Sequence, residues 1–183
     1  MNDPLLSALS FALPDGRQAS LGDYLGKVVL LVNVASKCGL TPQYAALEKN
    51  YRAQQDAGLV ILGFPTGNFR EQEFDTDAEI AQFCALNYDV SFPILSKISV
   101  AGDDQHALYG ALTSAQPVPV GAGEFRQMMQ KHGMDLAPEP GILWNFEKFL
   151  VNRQGRVVGR FAPHIGVADG VLADAINAQL AAT

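Results

Sequence analysis

"KVVLLVNVASKCGLTPQYAALEKNYRAQQDAGLVILGF", residues 27–64, holds a complete strand–helix–strand pattern. Its two ends, 27–34 and 58–64, are nearly continuous apolar runs rich in Val, Leu and Ile, the pattern of strands covered on both faces in a parallel sheet. Between them Thr41 is placed to cap a helix, Pro42 fits the first helical position, and Tyr44, Leu47 and Tyr51 recur at helical spacing over 42–55. The segment is therefore a crossover unit, and the rest of the chain is read around it.

Downstream, "TDAEIAQFCALNY" (76–88) predicts a second helix, with Thr76 and Glu79 at capping-box spacing. Residues 92–98 predict a weak strand that Pro93 confines to an edge, and 105–114 fit a short helix. "NFEKFLVNRQGRVVGRFA" (145–162) predicts two strands joined by a turn at Asn152 to Gly155. Residues 167–181 close the chain as an amphipathic helix, with Val167, Val171, Leu172, Ala175 and Ile176 expected inward. A parallel unit followed by an antiparallel hairpin predicts an α/β fold, a central mixed sheet flanked by helices in the order of a thioredoxin-like domain. Periodicity alone does not separate that fold from other small α/β folds. The interval 116–142, with four prolines and four glycines around a short polar helix candidate, is read as an inserted loop. A loop of that length usually serves a subunit contact or an active-site rim.

Composition sets the outer limits. A chain of 183 residues, 48% hydrophobic and 17% charged, is expected to form one domain over 1–183 with a substantial core. The net charge of −6 argues against nucleic acid and anionic membrane surfaces as partners. The start Met-Asn-Asp lacks the basic residues of a secretory leader, and no apolar run approaches the ~18 residues that span a bilayer. A cytoplasmic protein is expected. The two cysteines, Cys38 and Cys84, fit neither a CxxC motif nor zinc-ligand spacing, and His106, His132 and His164 are scattered. No metal and no cofactor is expected.

Cys38 is the residue on which function turns. A lone cysteine is most often a small buried hydrophobe. This one follows the end of a buried strand, adjoins Lys37, and precedes Gly39 and a helix N-terminus, where cation and helix dipole both favour negative charge on sulfur. That is the setting of a nucleophile.

Three stretches carry a family likeness. "GKVVLLVNVASKCGLTPQYAALEKNY" resembles the nucleophile segment of the glutathione peroxidase family, and "ILGFPTGNFREQE" and "WNFEKFLVNRQGRVVGRFAP" resemble its second and third signature segments. The resemblance runs from about Phe11 to the C-terminal helix, leaving out 116–142. It implies a thioredoxin-like fold, reduction of hydrogen peroxide or organic hydroperoxides, and a peroxidatic role for Cys38. Trp144 and Asn145 match the family's Trp-Asn pair, whose N–H groups serve the reacting sulfur. Read from the residues alone, Trp144 is a core residue and Asn145 a turn residue at a strand start. One position departs from the pattern: "PTGNF" (65–69) stands where the family has Pro-Cys-Asn-Gln-Phe, so Asn68 takes the catalytic glutamine's place. Asn keeps the amide but is one methylene shorter; Gln72, which matches the family's other, non-catalytic glutamine, is the second candidate.

Cys84 lies in "AQFCALNYDVSFPI", which resembles the form of the family that carries a resolving cysteine in this helix. Ile80, Phe83 and Cys84 also share helical spacing, so a merely buried Cys84 is the alternative. Family members of the two-cysteine type imply thioredoxin as reductant. The other readings are a one-cysteine cycle driven by glutathione, and a redox sensor that relays oxidation to a partner protein.

Overall fold

The computed structural model describes residues 4–182. A short helix, α1 (Pro4–Ala8), precedes an antiparallel pair, β1 (Ser10–Ala12) and β2 (Gln18–Ser20), which the sequence reading missed. The crossover unit follows as β3 (Val28–Val34), α2 (Gln43–Gln54) and β4 (Leu59–Pro65). Then come α3 (Asp77–Tyr88), α4 (Ala107–Ala115), α5 (Ala122–Gln130), β5 (Lys148–Val151), β6 (Val157–Phe161) and α6 (Gly170–Ala181). The main sheet has the order β4-β3-β5-β6, with β3 and β4 parallel and the β3–β5 and β5–β6 pairs antiparallel. This is the mixed sheet the sequence predicts.

Every residue of β3 is buried, because both faces of the sheet are covered. Val28, Leu30, Val32 and Val34 pack with Tyr44 and Leu47 of α2, Ile80 and Cys84 of α3, and Leu172 and Ile176 of α6. Val29 and Leu31 face the other way, into a core with Phe64, Phe149 and the α4 residues Leu108, Tyr109 and Leu112. Full burial of each such side chain contributes roughly 1.5–3 kcal/mol, so this strand fixes the layer order.

Four expectations are corrected. Residues 92–98 form no ladder strand: one bridge, Gly63 with Ile94, is made, since Pro93 lacks a donor there. A side chain at Gly63 would meet Ile94 at 2.8 Å, which is why the close approach needs glycine. Val171 is 48% exposed; Leu172 and Ile176 form the inner stripe of α6. Thr41 does not cap α2, whose helical geometry already includes Pro42; its hydroxyl is engaged with the Cys38 turn. The interval 116–142 is more than a surface loop. Val120 pairs with β6 (its N–H to Arg160 O at 2.8 Å, its carbonyl from Ala162 N–H at 2.9 Å), and α5 buries Ala122, Phe125 and Met129 against Leu143 and Ala162. Among the described residues, no helix is long and apolar enough to cross a membrane.

Candidate active site

Cys38 sits in the tight turn between β3 and α2. Thr41 holds that turn closed: its Oγ1 accepts from Cys38 N–H at 3.0 Å and donates to Ala35 O at 2.7 Å. The turn is fastened to the segment after β4 by Lys37 N–H to Gln72 O at 2.9 Å and Ser36 N–H to Glu73 Oε1 at 3.2 Å. Cys38 is 9% exposed, and its sulfur accepts from Leu40 N–H at 3.4 Å.

The sulfur opens onto a cavity of about 340 Å³. Gln72, Arg70 and Trp144 line it together with Phe125, Met128, Met129, His132 and Met134. Trp144 is held by ring contact with Phe69, centroids 5.2 Å apart. Its carbonyl accepts from Asn33 Nδ2 at 3.0 Å, while Asn33 O accepts from Phe146 N–H at 2.6 Å. Asn33 therefore grips the Trp144–Phe146 turn from the end of β3. A polar residue inside "VVLLVNV" was the available signal, because a buried amide is tolerated only when it is bonded.

Of the expected residues, Cys38 and Trp144 line the cavity together. Asn145 is fully buried behind it, and its Nδ2 donates to Gln72 Oε1 at 3.1 Å, so its reach to the cavity runs through Gln72. Asn68 does not join this set. Its Oδ1 accepts from Val100 N–H at 2.6 Å and from Thr66 Oγ1, and its Nδ2 donates to Ser99 Oγ at 3.0 Å and Ala101 O at 3.2 Å. The amide is fully engaged in fastening the 99–101 loop. Gln72 stands in the cavity instead, brought there by a turn with two successive left-handed residues, Arg70 (φ 54°) and Glu71 (φ 52°). Such backbone costs of order 1 kcal/mol or more per residue and clusters at functional sites.

Lys37 is also corrected. Its ammonium lies 4.2 Å from the Phe74 ring centroid and lines a separate polar cavity with Glu71, Glu73, Asp75 and Lys97. The donor beside the Cys38 sulfur is the Leu40 amide, not that cation.

Cys84 lies in the third turn of α3 and is 1% exposed; both cysteines are free. Burial pushes its thiol up to about 11, the Tyr44 hydroxyl offsets part of the rise, and the Glu73 carboxylate adds to it. α3 begins with the expected capping box: Glu79 N–H donates to Thr76 Oγ1 at 3.3 Å, and Thr76 N–H to Glu79 Oε2 at 3.2 Å. Arg52 ties its far end, donating to Asp89 O at 2.8 Å. Only Ile80 and Cys84 of this helix are buried.

A fully buried ion pair joins Glu147, just after the Trp144–Phe146 turn, to Arg160 of β6. Glu147 Oε2 accepts from Leu143 N–H at 2.7 Å. Arg160 donates to the carbonyls of Gln116, Pro117, Pro140 and Gly141, at 2.8 to 3.0 Å, and so clamps both ends of the 116–142 interval. Among the described residues, no cluster of three or more metal-ligating side chains occurs.

The glutathione peroxidase family profile matches residues 7–113, a span that includes Cys38, Gln72 and Cys84. The chain is 43% identical over 184 residues to the thioredoxin/glutathione peroxidase BtuE of Escherichia coli, covering 99% of this chain and all of that one. The crystal structure of Trgpx in apo form superposes with a TM-score of 0.70 at 32% identity, over 98% of this chain and 97% of that one. The thioredoxin domain of a thiol-disulfide oxidoreductase from Bacteroides vulgatus superposes at 0.53 over 97% and 96% of the two chains; at 13% identity that likeness concerns the fold, which is thioredoxin-like.

Proposed function

The chain belongs to the glutathione peroxidase family, and from that membership and the Cys38 site we propose a two-cysteine thiol peroxidase recycled by thioredoxin. The observation that carries this reading is a cysteine sulfur with a backbone donor, opening onto a cavity shared with the Trp144 indole and the Gln72 amide. The Cys38 thiolate attacks the terminal oxygen of a hydroperoxide, an S–O bond forms, the O–O bond breaks, and the leaving oxygen takes up a proton as an alcohol or water. Cys38 is left as sulfenic acid. Trp144 supplies an N–H, Gln72 takes the amide role expected of Asn68, and Asn145 orients Gln72.

The Cys84 sulfur then displaces hydroxide from the sulfenic acid, giving a disulfide and water, and a thioredoxin dithiol returns both cysteines to thiols by exchange. A thiol held near 11 and facing Tyr44 is a poor nucleophile in place, so α3 opens locally before the second step. The name of the Escherichia coli relative mentions both thioredoxin and glutathione, so the test uses both. Peroxide consumption is measured with thioredoxin and its reductase, with glutathione, and with neither. Turnover with thioredoxin that Cys84→Ser abolishes supports the reading. Glutathione-driven turnover that survives Cys84→Ser favours the one-cysteine cycle, and no consumption in any mixture overturns peroxidase function.

A further inference from the structure

We propose that the methionine face of the 122–134 segment is the substrate-selecting wall of the Cys38 cavity, favouring hydroperoxides with an extended apolar substituent over hydrogen peroxide. The proposal rests on the peroxidase reading above and adds to it the chemical class of the substituent. A cavity of about 340 Å³ is several times larger than hydrogen peroxide requires, given that one water occupies roughly 30 Å³ of liquid. Three of the chain's four methionines, Met128, Met129 and Met134, line it with Phe125, Leu40 and Trp144; its polar side chains are Arg70, Gln72 and His132, and no carboxylate lines it. Thioethers on flexible stems adapt to apolar bodies of different shape.

This wall is built in place. Met129 and Phe125 are buried in their own small core, and the Phe125 ring stacks on His164 with centroids 5.6 Å apart. Gly133, at φ 68°, reverses the chain after α5 so that Met134 N–H reaches Met129 O at 3.1 Å and the third methionine returns to the same face. Met128 is 43% exposed, so core packing does not account for it. Its side chain is available to a ligand.

The wall acts on rate because of where the bonds break. Sulfur bonds to the terminal oxygen, the O–O bond cleaves, and the substituent leaves on the other oxygen, which is protonated to the alcohol. The substituent remains in the cavity throughout, so its burial is retained in the transition state. Each buried methylene is worth about fourfold, and a half-open wall gives about two- to fourfold.

The experiment measures the second-order rate of Cys38 oxidation in single turnover, without reductant, by quenching and mass analysis. The full chain reacts with hydrogen peroxide and with straight-chain alkyl hydroperoxides of increasing length. The expected result is a rise of about two- to fourfold per methylene that levels off once the cavity is filled. In Met128→Lys and Met134→Gln the rise per methylene flattens, with thermal melts confirming that both variants fold. A wild-type rate independent of chain length, or a slope unchanged in both variants, overturns the proposal while leaving the peroxidase reading intact. In a parallel steady-state assay with thioredoxin and its reductase, variants that slow only the reduction step also overturn it and give the wall to the reductant. No reaction of Cys38 with any hydroperoxide overturns the underlying reading itself.

Discussion

Replacing Ala85 with glycine is expected to speed formation of the Cys38–Cys84 disulfide about fivefold. Ala85 follows Cys84 on the exposed side of α3 and belongs to neither large core, so the change leaves the packing of Ile80 and Cys84 alone. It weakens only the helical backbone, by ~1 kcal/mol for glycine against alanine. At 1.36 kcal/mol per tenfold, that raises the population of opened helix about fivefold. If Cys84 attacks only from the opened helix, the disulfide forms faster by the same factor. The assay mixes reduced protein with one equivalent of peroxide, quenches with acid and an alkylating agent, and follows disulfide by mass. Hydrogen exchange on the reduced variant supplies the control. Faster exchange across 77–88 with an unchanged rate of disulfide formation refutes the reasoning, because the thiols then react across an intact helix.

Gln72→Ala is expected to slow Cys38 oxidation by roughly 10²–10³, the worth of one oxyanion-type donor, while Asn68→Ala loosens the 99–101 loop with a far smaller effect on that rate; single-turnover oxidation of both variants decides. Arg160→Met leaves Glu147 buried and unpaired and should cost about 3–5 kcal/mol in denaturant titration, part of which returns when Glu147 is also replaced by an apolar residue. Burial raises the Cys84 thiol to about 11, so the protonated form stabilises the fold fully below the ordinary cysteine range, and that contribution is lost as pH rises from about 9 through 11. Over that window wild-type stability should fall relative to Cys84→Ala, and denaturation midpoints of the two at matched pH measure it.

The crossover unit was legible because its signals agree: two apolar runs of strand length, a proline at the helix start, and apolar spacing between them. The capping box at Thr76 and Glu79 was legible for the same reason, since it needs only residues close in sequence. Partners far apart in the chain were not. Val120 pairs with β6 across 40 intervening positions, and the four carbonyls that Arg160 binds are separated from it by 19 to 44 residues. Composition alone therefore made 116–142 look like a loop. The same blindness hid Asn33, whose partners lie in the Trp144–Glu147 turn.

The exchange of Asn68 for Gln72 has a different origin. Matching residues without gaps assumes that equal spacing after β4 gives equal direction in space, which holds only while the backbone stays in the common regions. Here Thr66 and Asn68 form a local side-chain bond, and the Asn68 amide turns toward Ser99, Val100 and Ala101. The chain then enters two left-handed residues, with Glu71 N–H to Gly67 O at 3.2 Å and Gln72 N–H to Phe69 O at 3.3 Å closing the turn. That reversal carries Gln72 back toward the Cys38 turn, where its carbonyl meets Lys37 N–H and its side chain meets Asn145. Neither Arg70 nor Glu71 favours positive φ by composition, so the turn persists because both its ends are fastened: one to the 99–101 loop through Asn68, the other to the Cys38 turn through Gln72 and Glu73. Asn68, bonded away from the cavity, thus helps hold the turn that brings Gln72 into it.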